Sequence, residues 1–227
     1  MIVSLCRRRT KKSFPFMLRT FGLSEEVLKH YQHKRWVGGA DLYFNTEQEK
    51  EEAYKRLKEF VYADSPKEME EVVVDMLKKT GLKLATAESC SGGLLSARIV
   101  NVPGSSKVFL GGFVVYANEL KTKLLSVEES LLKEFGAVSA EVCRAMCVGA
   151  LEETDADVCI AITGIAGPDG GTEEKPVGLT FIGIGTDSEV MVERYQLKGQ
   201  RNQNRFFSTQ IALDTLRRFL LKRYMND

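Results

Sequence analysis

From Ser65 onward the apolar positions switch repeatedly between two periods. Leu82 to Ala87 (LKLATA) reads as a strand, GGLLSARIVN after it as a helix, and VFLGGFVVYA as a second strand. NELKTKLL, the segment after Val127, and AEVCRAMCVGALEE carry helical spacing. DVCIAIT, VGLTFIGIGT and EVMVERYQL read as three further strands, and a long helix runs from about Asn202 to Lys222. Strands separated by helices predict an α/β fold, a three-layer α/β/α sandwich with helices on both faces of a sheet. TDSE joins the last two strands as an antiparallel hairpin would, so the sheet is expected to be mixed.

The front of the chain is patterned less clearly. Thr46-Glu47-Gln48-Glu49 and Ser65-Pro66-Lys67-Glu68 both fit a capping box, the second with proline at the first helical position. The first predicts a helix through about Phe60 and the second a helix over EMEEVVVDMLKKT that Gly81 closes. Ser24 is placed to cap a short helix, EEVLKHY, ADLYFN reads as a short strand, and VYADSP reads as a joint. With few apolar residues for a deep core of its own, residues 1–64 are expected to form a small α+β unit ahead of a main domain at 65–227.

Bulk properties narrow the possible functions. The 227 residues are 44% apolar and 28% charged, as in an ordinary soluble domain, and 32 basic against 31 acidic residues leave a net charge of +1. Nothing global draws such a chain to nucleic acid. Five basic residues cluster in Arg7 to Lys12, without the apolar segment a secretory signal needs, and a solvated terminus explains them more simply than nucleic-acid binding. Apolar runs such as Val108 to Ala117 are too short to cross a bilayer, so a cytoplasmic protein without a membrane partner is expected. Cys6, Cys90, Cys143, Cys147 and Cys159 are odd in number and contain no C-x-x-C pair, which suits neither zinc nor a disulfide scaffold. Cys143, Cys147 and Cys159 are expected to be small core residues.

Three loops leave three of the expected strands and could converge. ESCSGG (Glu88 to Gly93) offers glycines and N–H groups at a helix start, which favour anions and oxyanions. PGSSK (Pro103 to Lys107) feeds the strand ending in Tyr116-Ala117-Asn118, with Lys121 beyond it. Thr163 to Gly178 (TGIAGPDGGTEEKPVG) is long and glycine-rich for a connection in a compact domain, and it lacks the P-loop pattern of a kinase or ATPase. Both histidines, His30 and His33, lie in the front unit, which excludes a Ser-His-Asp triad inside the α/β domain. A lysine can replace histidine as base where its pKa is depressed, and tyrosine can relay a proton. Ser106, Tyr116 and Lys121 are residue types that could supply that set.

In this order, ATAESCSGGLLSARI, VPGSSKVFLGGFVVYANELK, FGAVSAE and ITGIAGPDGGTEEKPVG resemble the C-terminal domain of the CinA family, a domain also found alone as bacterial nicotinamide-nucleotide amidase. LRTFGLSEEVLK (Leu18 to Lys29) is similar to the segment that opens the small linker domain of longer CinA proteins. The chain is therefore expected to begin near that linker, without the family's N-terminal molybdopterin-binding-like domain.

The resemblance implies hydrolysis of the carboxamide of nicotinamide mononucleotide to nicotinate mononucleotide and ammonia, with no metal or cofactor. A primary amide is unreactive and calls for an activated nucleophile and an oxyanion hole. The roles assigned on this basis are Ser106 as nucleophile, Lys121 as base and Tyr116 as hydrogen-bonding partner, with Ser105 and then Ser89 as rival nucleophiles. N–H groups around Ser91 and Gly92, or around Ser105 and Ser106, are candidates for the oxyanion hole. Asn118, Thr163, Gly164 and Gly167 are expected to line the nucleotide pocket. Family members often carry G-D-R-x-x-x-R before the last helix; here Gln200 replaces the aspartate, while Arg201 and Arg205 remain as candidates for the substrate phosphate. Cys90 is an alternative nucleophile, needing a helix N-terminus or a lysine to ionise. A rival function is a non-catalytic nucleotide-binding regulatory module, and the expected assembly is a homodimer.

Overall fold

The computed structural model describes residues 14–225, so the Arg7–Lys12 cluster and Cys6 lie outside the described residues. The chain divides into two compact units, residues 1–67 and 68–227.

In the first unit, β1 (Phe16–Phe21), β2 (Gln32–Trp36), β3 (Gly39–Phe44) and β4 (Val61–Ala63) form a sheet in the order β2-β3-β1-β4, every pair antiparallel. The short helix α1 (Glu25–Leu28) starts where Ser24 Oγ accepts the Val27 N–H, and α2 (Glu47–Leu57) opens with the expected Thr46–Glu49 capping box. Contrary to expectation the unit has its own core: Leu18, Leu42, Phe44, Leu57 and Val61 are buried together with neighbouring residues. β1 and β2 escaped the pattern reading, and VYA of the expected joint is the strand β4. β1 contains a buried arginine, which obscures its alternation. Arg19 lies under cover because its Nε donates to Asp41 Oδ1 at 3.0 Å and its guanidinium sits 5.4 Å from the Trp36 ring centroid.

The second unit begins with α3 (Met69–Thr80). Its start is three residues later than expected: Glu68, not Ser65, precedes the helix, and the Glu68 N–H donates to the Glu71 carboxylate at 2.6 Å. Gly81 ends the helix in the left-handed conformation, as expected. There follow β5 (Leu84–Glu88), α4 (Leu94–Val100), β6 (Phe109–Val114), α5 (Asn118–Leu125), α6 (Glu129–Phe135), α7 (Ala140–Glu152), β7 (Val158–Gly164), β8 (Leu179–Gly185), β9 (Val190–Gln196) and α8 (Arg201–Tyr224). The sheet order is β6-β5-β7-β8-β9; β5 pairs in parallel with both β6 and β7, and β8 pairs antiparallel with β7 and β9. The sheet is mixed, as the hairpin implied. Helix α7, with α5 and α6 against it, packs on one face, and α4 and α8, with α3 against them, on the other. Together these layers make a mixed α/β fold consistent with the three-layer arrangement.

Strands β5 and β7 are buried along nearly their whole length, as parallel strands covered on both faces should be. Cys143, Cys147 and Cys159 are fully buried in the core beneath α7. Across the other layer, the buried Arg98 of α4 joins α3 and α8, with Nη2 at 2.7 Å from Glu70 Oε2 and Nη1 at 2.9 Å from Thr209 Oγ1. Removing one partner of such a pair strands the other charge. Arg98→Ala should therefore lower the unfolding free energy by about 3–5 kcal/mol in urea titrations, and Glu70→Leu with Arg98→Met should recover most of that loss.

Candidate functional site

The C-terminal ends of β6, β5 and β7 lie side by side. The Val115 N–H donates to Glu88 O at 2.8 Å, and the Ser89 N–H to Ile162 O at 2.9 Å. Ligands of open α/β sheets bind at such strand ends.

The first loop there, ESCSGG, is shaped by Glu88. Its carboxylate is fully buried and accepts from Leu95 N at 3.0 Å, Ser96 N at 2.8 Å and Ser96 Oγ at 2.6 Å, satisfying N–H groups at the start of α4. Gly92 and Gly93 turn the chain at φ of 61° and 87°, a conformation that disfavours any residue with a Cβ. Ser91 is fully buried, and its Oγ has no hydrogen-bonding partner. Buried hydroxyls are nearly always paired, and that of Ser91, beside this turn, is an exception.

The second loop brings Lys121, on the first turns of α5. Its side chain is fully buried, and Nζ donates to Val115 O at 2.8 Å and Tyr116 O at 3.2 Å. Burial pulls its pKa below the ordinary lysine value, against weaker opposing fields from Cys90 and Glu119. A neutral amine has two N–H donors and one lone pair; two carbonyls holding the donors leave the lone pair directed elsewhere. Tyr116 is 60% exposed, and Asn118 is exposed at the first position of α5.

The third loop is tied down at several points. Thr163 Oγ1 donates to Ala137 O at 2.7 Å, and Lys175 Nζ donates to the carbonyls of Phe135 and Val138. Gly164 leaves no room for a side chain, since a Cβ would lie 2.8 Å from Leu179 O and 3.1 Å from Cys90 Sγ. The first turn of α8 reaches two loops. Arg201 Nη1 donates to Gly167 O at 2.8 Å and its Nη2 to Tyr116 Oη at 3.3 Å, while Arg205 Nη2 donates to Ser91 O at 3.0 Å. Arg201 is thus oriented by a backbone carbonyl although Gln200 stands where the family pattern has aspartate.

Within the chain, Ser106 and Ser105, the assigned nucleophile and its rival, are not brought beside Lys121. Both sit in a single turn of 3-10 helix, Ser105–Lys107, ahead of β6. That turn lies beside the start of β5: the Leu84 N–H donates to Val108 O, and Lys83 Nζ to Lys107 O. Lys121 holds the carbonyl just beyond the far end of β6. The six residues of β6 alone put roughly 20 Å between them, at about 3.3 Å per residue. Nor can this turn supply an oxyanion hole to the lysine. Around Ser91, the Gly92 N–H is already given to Ser89 O at 3.1 Å. The Cys90 thiol is buried and its pKa is pushed up to about 12, chiefly by burial, so it is held as an unreactive thiol. Glu88 and Asn204, whose Nδ2 donates to Ala166 O at 3.1 Å, are two organising residues that the sequence reading did not single out.

Among the described residues, no helix is long and apolar enough to cross a membrane, and no group of three or more His, Cys, Asp or Glu residues could hold a metal ion.

The family model for the CinA C-terminal domain matches residues 66–220. A CinA-like protein of Dictyoglomus turgidum is 48% identical over 170 residues, 75% of this chain and 41% of the relative. One from Thermotoga maritima is 50% identical over 162 residues, 71% of this chain and 40% of the relative. The chain thus spans about two fifths of the length of the curated relatives it matches. Among solved structures, the competence/damage inducible protein CihA from Agrobacterium tumefaciens is similar with a TM-score of 0.65 and 35% identity, over 69% of this chain and 98% of that one. A competence-damaged protein (CinA) superfamily protein from Escherichia coli has a TM-score of 0.65 and 32% identity, over 66% and 88%. With the family model covering well over half of its length, the chain belongs to the CinA family, through that family's C-terminal domain.

Proposed function

We propose that the site formed by the ends of β5, β6 and β7 hydrolyses the carboxamide of nicotinamide mononucleotide to nicotinate mononucleotide and ammonia, with Ser91 as nucleophile and Lys121 as base. One observation carries this reading: a buried serine hydroxyl without a partner shares a sheet end with a buried amine whose pKa is depressed. Ser91 Oγ attacks the carbonyl carbon and its proton passes to the Lys121 lone pair. The lysine returns that proton to the departing nitrogen, which leaves as ammonia. Water then hydrolyses the acyl-serine ester by the same exchange, freeing the carboxylate. Tyr116, held by Arg201, orients the substrate at the mouth of the site. Both arginines keep N–H donors beyond those given to backbone carbonyls, and these suit the phosphate.

A second reading, a nucleotide-binding regulatory module without turnover, draws support from two facts. Both donors of the Lys121 amine are already engaged, and the similar solved structures are described by competence and damage rather than by a reaction. Incubation with nicotinamide mononucleotide separates the two. Released ammonia matched by nicotinate mononucleotide supports hydrolysis; saturable binding by calorimetry without ammonia supports the module. Neither binding nor release overturns both readings.

The phosphate contact gives its own prediction. Wild type should favour nicotinamide mononucleotide over nicotinamide riboside in kcat/KM, and Arg201→Ala with Arg205→Ala should reduce that preference by about ten- to a hundredfold, the worth of charge-assisted hydrogen bonds. Steady-state kinetics on the two substrates checks it.

A further inference from the structure

The first unit has a cleft of its own. The end of β3 pairs with the start of β2, Tyr43 opposite Gln32, and α2 packs on β1 and β3. Between α2 and that corner of the sheet lies a cavity of about 300 Å³, the lower end of the range that small-molecule sites occupy. Its floor is apolar: Phe44 and Ala53 are buried, and the half-buried Tyr31 ring meets Phe44 edge-on, with 6.1 Å between centroids. Its wall is charged. α2 buries Ala53 and Leu57, and that phase sets Glu49, Glu52 and Arg56 along the margin of the buried stripe, where they line the cleft. Glu49 is already engaged by the capping box, since Oε2 accepts the Asn45 N–H at 3.0 Å and the Thr46 N–H at 3.3 Å. Glu52 and Arg56 differ from it. A glutamate four residues ahead of an arginine has the spacing and order at which helical ion pairs close. Among the described residues no ion pair joins the two: Glu52 Oε1 accepts from Gln48 Nε2 at 3.2 Å, and the Arg56 guanidinium has neither a hydrogen bond nor an ion pair. One turn apart, they set opposite charges about 6 Å from each other along the helix axis, over an apolar floor.

We infer that this cleft binds a free α-amino acid with an apolar or aromatic side chain, its ammonium on Glu52, its carboxylate on Arg56 and its side chain against Tyr31 and Phe44. The charge pattern selects the class. A simple anion would lie against Glu52, a simple cation against Arg56, and a neutral molecule would draw on neither. A ligand with both charges on one carbon closes the separated pair from its two ends through charge-assisted hydrogen bonds, and the guanidinium fork takes both oxygens of a carboxylate. The interior of a peptide chain lacks these charges, which leaves the free amino acid. Two rings in the floor favour an aromatic side chain. The cleft lies within the first unit, and the inference does not rest on the amidase reading.

Calorimetry on the full chain tests it. L-Phenylalanine should bind saturably, with one site per chain. N-Acetyl-L-phenylalanine and L-phenylalaninamide, each lacking one of the charges, should bind about ten- to a hundredfold more weakly, the worth of a charge-assisted hydrogen bond. Glu52→Gln should weaken binding of L-phenylalanine and remove the discrimination against the acetylated compound, and Arg56→Gln should do the same for the amide. Both side chains are exposed on α2, so neither change should move the urea midpoint appreciably. No saturable binding, equal binding of the three compounds, or binding untouched by both variants overturns the inference. Wild type alone also decides it. On titration with L-phenylalanine the amide resonances of Asn45, Ala53 and Arg56 should shift, and shifts confined to residues 68–227 overturn it.

Discussion

Ser91→Ala should abolish ammonia release from nicotinamide mononucleotide, lowering kcat by about a thousandfold or more, while Ser106→Ala should leave it within about twofold. The contrast follows from position on the sheet. Ser91 follows β5 and sits fully buried at the strand ends; Ser106 precedes β6 and is exposed at the opposite end. Within the chain, only the first lies at the end of the sheet where the Lys121 amine is anchored on Val115 O and Tyr116 O. The same substitution should not harm the fold. A buried polar atom without a partner destabilises by about 1–3 kcal/mol, so replacing the hydroxyl with hydrogen should leave the urea midpoint equal or higher. Activity lost with stability kept or gained is the signature of a group retained for its chemistry. If Ser106→Ala were the inactive variant and Ser91→Ala the active one, the site would have to be sought at the other end of the sheet.

The order of elements in the larger unit was readable because its strands are continuous apolar runs and its helices carry regular spacing. β5, β7 and the hairpin of β8 and β9 stand where LKLATA, DVCIAIT and the TDSE turn placed them. Of the three strands that the pattern missed in the first unit, β4 is only three residues long, and the other two were hidden for separate reasons. β1 buries Arg19, whose charge is answered by Asp41 only once the β1–β3 register is formed, and β2 (QHKRW) is an edge strand with little apolar content. At the site, the ESCSGG loop, Lys121, the Thr163 loop and both arginines were visible as residue types near glycines. The grouping of Ser106 with Lys121 took nearness along the chain for nearness in space. A strand between two residues is a spacer, and the rule that ligands sit beyond carboxyl ends would have ranked Ser91, after its strand, above Ser106, before its own. No spacing could have signalled that the Ser91 hydroxyl lacks a partner, because that depends on which groups the finished fold brings around it.

Lys121→Met should cut kcat/KM by about a hundred- to ten-thousandfold, and Lys121→Arg should be as inactive, because a guanidinium does not give up its proton at working pH. Burial destabilises the ammonium form of Lys121, so its pKa in the folded chain lies below that in the unfolded chain. Wild-type kcat/KM should therefore rise with pH through this lowered value and level off above it, with the rise complete before an ordinary lysine would lose its proton. The same displacement sets the stability profile. Between the folded and unfolded pKa values the unfolded chain binds the additional proton, so folding is favoured progressively as pH rises across that window; below it, the full penalty of burying a charge is felt. Methionine fills a similar volume without charge. Its advantage over lysine should be greatest below that lowered pKa and shrink as pH rises toward the ordinary lysine value, read as the difference in urea midpoint between the two proteins. A buried lysine that only held Val115 O and Tyr116 O in place would give another result: Lys121→Met would lose stability at every pH, with activity falling only as far as the folded fraction fell. Inactivity combined with greater stability in acid is the outcome that an amine kept for proton transfer requires.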